Sequence, residues 1–360
     1  MINKPNRSFK IDDKQVGFEQ KAYFIADIAA NHDGDIERAK NLIYLAAEAG
    51  ADAAKFQHFK ASSIVSDHGF KTLTEKGSHQ SSWKKSVFEV YDDASVSLKW
   101  TEELKTTCKD AGITFLTSPY SFDLVDEVFD YVSAYKIGSG DITWVEIIRY
   151  IAGKQKPYII AAGASSMDDV TRSVSAGLAV NQNLCLMQCN TNYTAELENF
   201  KYIKLNVLKS FRDMYPDLVL GLSDHTHGHA TVLGAIALGA KMIEKHFTDD
   251  NTREGPDHDF AMDPRAWKEM VLRSRELENS LGDGIKQVEH NESETVILQR
   301  RSIRLVRDVK VNDVLNAEDF EVLRPCPIDG LPPHRLQEIV GRVLGNDISK
   351  GEYIKWTDLK

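Results

Sequence analysis

The sequence predicts a (β/α)₈ barrel followed by a small β-rich domain. Three observations predict it. Eight short apolar segments alternate with helical patterns between about residue 23 and residue 280, the pattern changes after residue 284, and residues 300–360 contain an internal repeat. With 360 residues, the chain is too long for one average domain. Strands that alternate with helices over about 250 residues are typical of a closed parallel barrel.

The predicted strands are short apolar runs, and the helices between them are amphipathic. Residues 36–49, for example, place Ala39, Leu42, Ile43, Ala46 and Ala47 on one helical face. A doubly wound sheet is the alternative, but no Gly-x-Gly-x-x-Gly motif follows the first strand, which disfavours a dinucleotide-binding fold. The eight strands are predicted at residues 23–29, 53–59, 114–118, 134–138, 158–162, 184–188, 219–222 and 242–247.

One connection, residues 60–94, is far longer than an ordinary loop between a strand and a helix. Gly69, Gly77, Ser81, Ser82 and Trp83 lie in it. A long loop at the C-terminal end of the strands is either a lid or disordered, and we expect a partly helical lid.

The domain boundaries are predicted from the change of pattern. Residues 1–284 form the barrel domain, residues 285–299 a polar linker, and residues 300–360 the small domain. Within it, residues 307–320 match residues 346–359 without a gap, with Asn312 and Gly351 at the same turn position. The repeat predicts a pseudo-symmetric β domain. About 60 residues make a marginal core, so we expect this domain to lean on the barrel or on a partner chain.

Composition excludes several classes of protein. The net charge of −10 argues against binding to nucleic acid. The four cysteines lack zinc-ribbon spacing, and Cys185 and Cys189 fall on an apolar strand, so we expect buried, reduced thiols in a cytoplasmic protein. The N-terminus has no apolar signal core, and no run approaches the roughly 18 apolar residues of a membrane span.

Two histidines close neighbouring predicted strands. His225 follows the seventh strand and His246 ends the eighth, and one helix-length stretch, residues 230–240, separates them. That spacing is one β/α unit, which places both imidazoles at the C-terminal ends of adjacent strands, where barrel enzymes build active sites. A single histidine is usually structural, but neutral imidazole is the commonest protein ligand of divalent metals. The pair therefore predicts a divalent metal site, whereas His227 and His229 are expected in a loop.

Two lysines, Lys55 and Lys136, lie inside apolar strands, where an unpaired ammonium would be costly. The alternative for each is a salt bridge to a barrel carboxylate. The turn Gly138-Ser139-Gly140 offers backbone N–H groups and a hydroxyl to an anion, although it also fits an ordinary turn. Together with the two histidines, these residues predict an anionic substrate beside a metal. A Schiff-base lysine remains a separate possibility.

Together these segments resemble the sialic acid synthase family, whose members condense phosphoenolpyruvate with an N-acetylamino sugar. The resemblance covers nearly the whole chain and implies a barrel followed by an antifreeze-like (SAF) domain. It also implies a domain-swapped homodimer, in which the small domain of one chain caps the partner's barrel. The motifs that carry it are Ile25-Ala26-Asp27-Ile28-Ala29-Ala30-Asn31-His32-Asp33-Gly34, Lys55-Phe56-Gln57, Lys136-Ile137-Gly138-Ser139-Gly140-Asp141, Ser223-Asp224-His225-Thr226, Glu244-Lys245-His246-Phe247 and Gly255-Pro256-Asp257-His258.

The resemblance also implies roles for individual residues. His225 and His246 would hold Mn²⁺, or Mg²⁺ or Co²⁺ in its place. Lys55, Lys136, Ser139 and Ser223 would bind phosphoenolpyruvate, and Asp27, Lys55 and Lys136 would be catalytic. The residues that would contact the sugar are Asp27, Gln57, Tyr193, Asp257 and, from the partner chain, Arg324.

The function that the resemblance implies is a metal-dependent nonulosonic acid synthase that cleaves the C–O bond of phosphoenolpyruvate and releases phosphate. The acceptor would be N-acetylmannosamine or a 2,4-diacetamido-dideoxy hexose. A Schiff-base aldolase or lyase on the same barrel, and a non-catalytic carbohydrate-binding protein, are the alternatives. The chain departs from the family pattern at Asp27, usually Glu, at Ala161-Ala162-Gly163-Ala164, at Thr191 and at Cys326-Pro327, so the sequence does not fix the sugar.

Overall fold

The computed structural model describes residues 3–72, 83, 85–193 and 195–360, so Gly77, Ser81 and Ser82 of the long connection lie outside the described residues. The chain divides into two compact units, Met1–Gly282 and Asp283–Lys360. The first unit ends two residues before the predicted end of the barrel domain at residue 284. The segment predicted as a linker, residues 285–299, belongs to the second unit and ends in a short helix.

Eight parallel strands of the first unit close into a barrel, as predicted, in the order β10-β3-β4-β5-β6-β7-β8-β9. Each predicted barrel strand is present, and its ends differ from the predicted ones by at most two residues. The strands are β1 Ser8–Ile11, β2 Lys14–Gly17, β3 Tyr23–Asp27, β4 Ala53–His58, β5 Thr114–Pro119, β6 Tyr135–Ile137, β7 Tyr158–Ala161, β8 Leu184–Cys189, β9 Val219–Asp224, β10 Ala240–His246, β11 Ser302–Leu305 and β12 Phe320–Leu323.

The first barrel strand illustrates why an observed strand ends at a different residue from the predicted one. The predicted strand continued to residue 29, but β3 ends at Asp27. Ala29 has a φ of 45°, in the left-handed region, so the chain turns there instead of extending the strand. Ala30, the next residue in this turn, lines the cavity at the barrel mouth.

Helices surround the barrel. In the first of them Asp35 caps the N-terminus by accepting hydrogen bonds from two backbone N–H groups, and the predicted apolar face is buried except for the half-buried Ala47. None of the helices in the described ranges combines the length and the apolar character that crossing a bilayer requires. The α-helices are α1 Ile36–Glu48, α2 Ala61–Ile64, α3 Asp67–Thr72, α4 Val87–Ala94, α5 Thr101–Asp110, α6 Phe122–Glu127, α7 Val145–Gly153, α8 Met167–Leu178, α9 Val207–Met214, α10 Ala230–Ala237, α11 Pro264–Ser280, α12 Ser293–Gln299 and α13 Leu336–Ile339.

The long connection between β4 and α5 is partly helical, as predicted, because it contains α2, α3 and α4. Trp83 in this connection lines the cavity at the barrel mouth. That the connection acts as a lid stays a prediction.

The sequence analysis missed a β-hairpin at the N-terminus. Strands β1 and β2 pair antiparallel before the barrel begins. Their side chains Phe9, Ile11 and Val16 are buried in one cluster with barrel-interior residues such as Tyr23 and Met242. These two residues begin the parallel pairing of β3 with β10, so the hairpin closes the N-terminal end of the barrel and leaves the other end open. Two four-residue strands are too short for their alternation to be recognised in the sequence.

The second unit contains the predicted repeat. β11 pairs antiparallel with β12, and Val309 and Ile348 of the two repeat copies form an antiparallel bridge. Asn312 and Gly351, matched by the repeat, have φ values of 73° and 84°. Both copies therefore turn through the same left-handed conformation, which Asn and Gly tolerate best. Nine buried apolar residues form this unit's own core.

Candidate active site

Strands β9 and β10 carry the two histidines, and a buried ion pair fixes their relative register. Lys245 lies opposite Asp224 in the parallel ladder, and its Nζ donates a hydrogen bond to Asp224 Oδ2 at 2.5 Å. Thr231 of α10 donates to the same oxygen at 2.8 Å, which places this pair on the helix side of the sheet. Because side chains alternate along a strand, the neighbouring His225 and His246 point to the other side, into the barrel.

The two imidazoles meet at the open end of the barrel, with ring centroids 5.3 Å apart. His225 Nδ1 donates to the Asn190 carbonyl at 2.9 Å, so Nε2 is the nitrogen through which this ring would hold a ligand. His246 Nδ1 is buried without a hydrogen-bond partner in the described part of the chain and lies 3.8 Å from Asp257 Oδ2. Burial, reinforced by the nearby charge of His225, lowers the pKa of His246 well below its usual value, so this ring stays neutral.

These features fit a divalent metal. One imidazole has its tautomer set by a backbone carbonyl, the usual arrangement for a metal ligand, and the other has an unpartnered buried nitrogen. Within the described ranges, no three His, Cys, Asp or Glu side chains converge as a metal-binding group.

Next to the histidines lies a buried cluster of four charges. Lys55 Nζ is 2.7 Å from Asp27 Oδ2 and 3.7 Å from Glu244 Oε1, and Lys136 Nζ is 2.6 Å from the same Glu244 oxygen. Ser223 Oγ donates to that oxygen at 3.2 Å. All four charged side chains are at most 5% exposed. Both lysines therefore form the salt bridges considered for them, and they do so inside the barrel mouth.

Glu244 was missed as a site residue, although an acid within the apolar run of β10 was a usable signal. Burial raises the pKa of Glu244, but the charges of Lys136 and Lys55 outweigh burial and lower the pKa to about 2. Burial raises the pKa of Asp27; Lys55 opposes this and Glu244 adds to it. The second oxygens, Asp27 Oδ1 and Glu244 Oε2, are buried without a hydrogen-bond partner among the residues that the structure describes. The cluster thus retains acceptor sites that face no protein donor.

The remaining predicted barrel residues surround a cavity of about 390 Å³ beside His246. Gln57, Ser139, Tyr193 and Asp257 all line it. The Tyr193 ring packs edge-on against His225, with centroids 4.5 Å apart. Asp257 accepts a hydrogen bond from the Ala30 N–H at 3.2 Å, which ties the loop after β10 to the loop after β3. Every predicted site residue of the barrel thus lies at one mouth.

A second residue missed by the sequence analysis is Cys189, at the end of β8. All four cysteines are free; Cys108, Cys185 and Cys189 are buried, as expected, whereas Cys326 is only half-buried. The Cys189 thiol lies 3.9 Å from Thr191 Oγ1. Burial raises the pKa of Cys189, but the neighbouring His225 outweighs burial, so the pKa is lowered overall. Burial lowers the pKa of His225, and the contact with Cys189 reverses that effect, so the pKa is raised overall. A Cβ atom on Gly163 would lie 1.9 Å from Thr191 Oγ1 and 3.1 Å from Cys189 Sγ. Only glycine fits there, so Gly163 packs directly against Thr191, one of the departures from the family pattern.

Hydrogen bonds outside the cavity fix the loop that carries Asp257. Asp33 accepts hydrogen bonds from Arg253 Nε at 2.9 Å and from His258 Nε2 at 2.9 Å. His258 Nδ1 is in turn 2.7 Å from Thr248 Oγ1. These contacts join Asn31-His32-Asp33-Gly34 to Gly255-Pro256-Asp257-His258, two motifs that the sequence shows only as separate segments. The loops that frame the cavity are therefore fixed to each other.

Arg324 belongs to the second unit. It follows β12 and its side chain is exposed. That Arg324 contacts the sugar in a partner's barrel stays a prediction.

The loop assignment of His227 and His229 is confirmed: both lie between β9 and α10, and His227 is exposed. Their side chains take no part in the hydrogen bonds described for the mouth.

The chain and its fold are similar to known proteins. The profile of the NeuB family matches residues 42–286, and the profile of the SAF domain matches residues 300–360. The N,N'-diacetyllegionaminic acid synthase of Campylobacter jejuni is 31% identical over 93% of this chain and 99% of its own length. Human N-acetylneuraminate-9-phosphate synthase is 30% identical over 91% of this chain and 89% of its own. The crystal structure of the Bacillus subtilis spore coat polysaccharide biosynthesis protein SpsE is 29% identical and superposes with a TM-score of 0.64 over 98% of this chain and 99% of that one.

Proposed function

The chain belongs to the NeuB family, and we propose that it is a nonulosonic acid synthase. It condenses phosphoenolpyruvate with an N-acetylated amino sugar, N-acetylmannosamine or a 2,4-diacetamido-dideoxy hexose, and releases phosphate. One observation carries the proposal: two buried lysines and two strand-end imidazoles share one barrel mouth, with Lys55 and Lys136 both within 3.7 Å of Glu244. Cations suit the charges of phosphoenolpyruvate, and imidazoles suit a metal beside it.

The proposed reaction forms one carbon–carbon bond and breaks one carbon–oxygen bond. Carbon 3 of phosphoenolpyruvate bonds to the aldehyde carbon of the open-chain sugar, and the aldehyde oxygen takes up a proton. Water adds at carbon 2, and the bond from carbon 2 to the phosphate oxygen breaks, leaving a 3-deoxy-2-keto acid and inorganic phosphate. A bound Mn²⁺, or Mg²⁺ or Co²⁺ in its place, would supply Lewis-acid polarisation of the aldehyde.

The other side chains at the barrel mouth bind phosphoenolpyruvate and transfer protons or orient the sugar. Lys55 and Lys136 bind the charged groups of phosphoenolpyruvate, and the hydroxyls of Ser139 and Ser223 add hydrogen bonds. Asp27 Oδ2, 2.7 Å from Lys55 Nζ and 3.6 Å from His246 Nε2, lies between the phosphoenolpyruvate site and the histidine pair. That position suits proton transfer or orientation of the sugar.

The sugar contacts come from the cavity wall and from the second unit. Gln57, Tyr193 and Asp257 line the cavity, where they can hydrogen-bond the sugar. In a domain-swapped homodimer, Arg324 of the small domain reaches the sugar bound in the partner's barrel.

The ion pairs disfavour a Schiff-base aldolase. Burial lowers the pKa of Lys55, but the charges of Asp27 and Glu244 raise it by more than burial lowers it. The amine therefore stays protonated and is a poor nucleophile. Borohydride trapping of an adduct at Lys55 or Lys136 would reverse this conclusion.

The synthase proposal predicts phosphate release from phosphoenolpyruvate that requires both an N-acetylamino sugar and a divalent metal. In ¹⁸O-labelled water the released phosphate should stay unlabelled, because water attacks carbon 2 and the bridging oxygen leaves with phosphorus. Mass spectrometry of the phosphate measures this. Label in the phosphate would exclude C–O cleavage, and no release with any amino sugar would favour a non-catalytic carbohydrate-binding protein.

Arg324→Ala should lower kcat/KM for the sugar and change the KM for phosphoenolpyruvate little. Loss of a charged hydrogen bond costs about 1.5–3 kcal/mol, which is roughly a ten- to hundredfold effect. The control is Arg342→Ala, an exposed arginine of the same unit. Mixing Arg324→Ala with His246→Ala chains should restore activity, because a shared site regains both residues. No recovery despite proven subunit exchange would mean that Arg324 acts within its own chain or not at all.

A further inference from the structure

Arg324 lies between two fixed points of the backbone in the second unit. It directly follows β12, whose last residue, Leu323, pairs with Ser302 of β11. The next carbonyl, that of Pro325, accepts a hydrogen bond from Ser302 Oγ at 2.8 Å and another from Arg304 Nη2 at 2.8 Å. Residues of β11 therefore hold the backbone on both sides of Arg324.

The side chain of Arg324 is not held in this way. It is exposed, and its guanidinium has no hydrogen-bond or ion-pair partner in the part of the chain that the structure describes. The chain beyond Pro325 is fixed as well, because the Cys326 N–H donates to the Ile297 carbonyl at 2.9 Å. A fixed backbone with an uncommitted guanidinium suits a contact with a ligand outside this unit, since less conformational freedom is lost on binding.

The guanidinium of Arg304, by contrast, is bound within the unit. Its Nη1 donates to the Gly351 carbonyl at 2.8 Å, and its Cζ lies over the Tyr353 ring, 5.7 Å from the centroid. Because a guanidinium donates in a planar, fixed geometry, this one side chain sets the position of Pro325 relative to the turn at Gly351. Ser302 is fully buried, so its hydroxyl is a second fixed donor to the same carbonyl.

In the proposed function, Arg324 contacts the sugar bound in a partner's barrel. Resting on that function, we propose that Arg304 and Ser302 are positioning residues for Arg324. Neither touches the substrate. By holding the Pro325 carbonyl they keep the backbone of Arg324 in one place, so that its guanidinium meets the sugar without first being ordered. A displacement of about 1 Å at such a contact can cost up to about a hundredfold in rate, so the loss of either donor should be measurable.

A double-mutant cycle with the metal-loaded full chain tests this inference. Arg304→Met removes the donor to Pro325 and keeps an unbranched apolar side chain against Tyr353. It should lower kcat/KM for N-acetylmannosamine, or for a 2,4-diacetamido-dideoxy hexose if that is the better acceptor, by roughly five- to fiftyfold and change the KM for phosphoenolpyruvate little. With Arg324→Ala already present, the same change should lower kcat/KM by less than about twofold, because a residue that acts through Arg324 then has nothing left to position.

Arg301→Met is the matched control. Arg301 directly precedes β11, is exposed, and donates through Nη1 to the Val322 carbonyl at 2.9 Å. The same substitution there removes a guanidinium–carbonyl bond that does not reach the segment after Arg324, so kcat/KM should stay within about twofold of the wild-type value. Hydrogen exchange measured by mass spectrometry gives a readout without turnover: exchange in residues 323–328 should become faster in Arg304→Met and stay unchanged in Arg301→Met.

The outcomes separate this inference from the proposed function. A wild-type kcat/KM in Arg304→Met, or an equal loss with and without Arg324→Ala, would overturn the inference and leave the synthase proposal standing. If Arg304→Met does not fold, Ser302→Ala removes the other donor and takes its place in the cycle. No loss in Arg324→Ala would overturn the role of Arg324, and no turnover with any acceptor would overturn the proposed function; the inference fails with either.

Discussion

Replacing either His225 or His246 by alanine should abolish turnover and weaken metal binding while leaving the fold intact. We expect kcat to fall by more than about 1,000-fold, about 4 kcal/mol, because each change removes one of the two imidazoles that meet at the mouth. Both rings pack against Tyr193 and Phe260, so a small loss of stability is expected, but the large apolar clusters of the core include neither histidine and should keep the fold intact. Phosphate release measures turnover, titration with Mn²⁺ measures affinity, and thermal unfolding measures the fold.

The loop beside the site provides the control. His227 is exposed, two residues from His225, and its replacement by alanine should change neither turnover nor metal affinity. Metal-depleted protein should be inactive and should recover when Mn²⁺ returns. Full activity after depletion would show that the assignment of the ligands is wrong.

The second large effect is expected at Lys136. Lys136→Met removes the cation 2.6 Å from Glu244 and should lower kcat/KM for phosphoenolpyruvate. Truncating one partner of a buried charge pair costs about 2–5 kcal/mol in binding, roughly 30- to several-thousand-fold. The variant should also be less stable, by up to about 3–5 kcal/mol, because Glu244 loses its nearest cation and keeps Lys55 at 3.7 Å and the Ser223 hydroxyl at 3.2 Å.

A double variant separates the two effects. Lys136→Met with Glu244→Gln removes the unpaired carboxylate, so it should regain most of the lost thermal stability but not the lost kcat/KM. Lys241→Met is the control, since it removes a lysine near the start of β10, at the closed end of the barrel. It should leave kcat/KM nearly unchanged. If the double variant recovers kcat/KM, Lys136 serves only to neutralise Glu244 and does not bind substrate.

The sequence by itself determined the order of the strands, the repeat of the second unit and the position of the two histidines. These features are local. A short run of apolar residues predicts a strand. The spacing of one β/α unit between His225 and His246 predicts that they lie at the ends of neighbouring strands. The matched turn at Asn312 and Gly351 could likewise be read from residue types that tolerate a left-handed backbone.

Only the tertiary structure decided which charges pair and which residues share the site. Lys136 on β6 contacts Glu244 on β10, 108 residues later, across the interior of the closed barrel. Cys189 was expected to be a buried, reduced thiol; the structure also places it beside His225 of the neighbouring strand, whose pKa it raises. Spacing along the chain specifies neighbouring strand ends, but it does not specify distances across a barrel. Those distances follow from strand register and barrel closure, which place residues far apart in sequence within hydrogen-bonding reach.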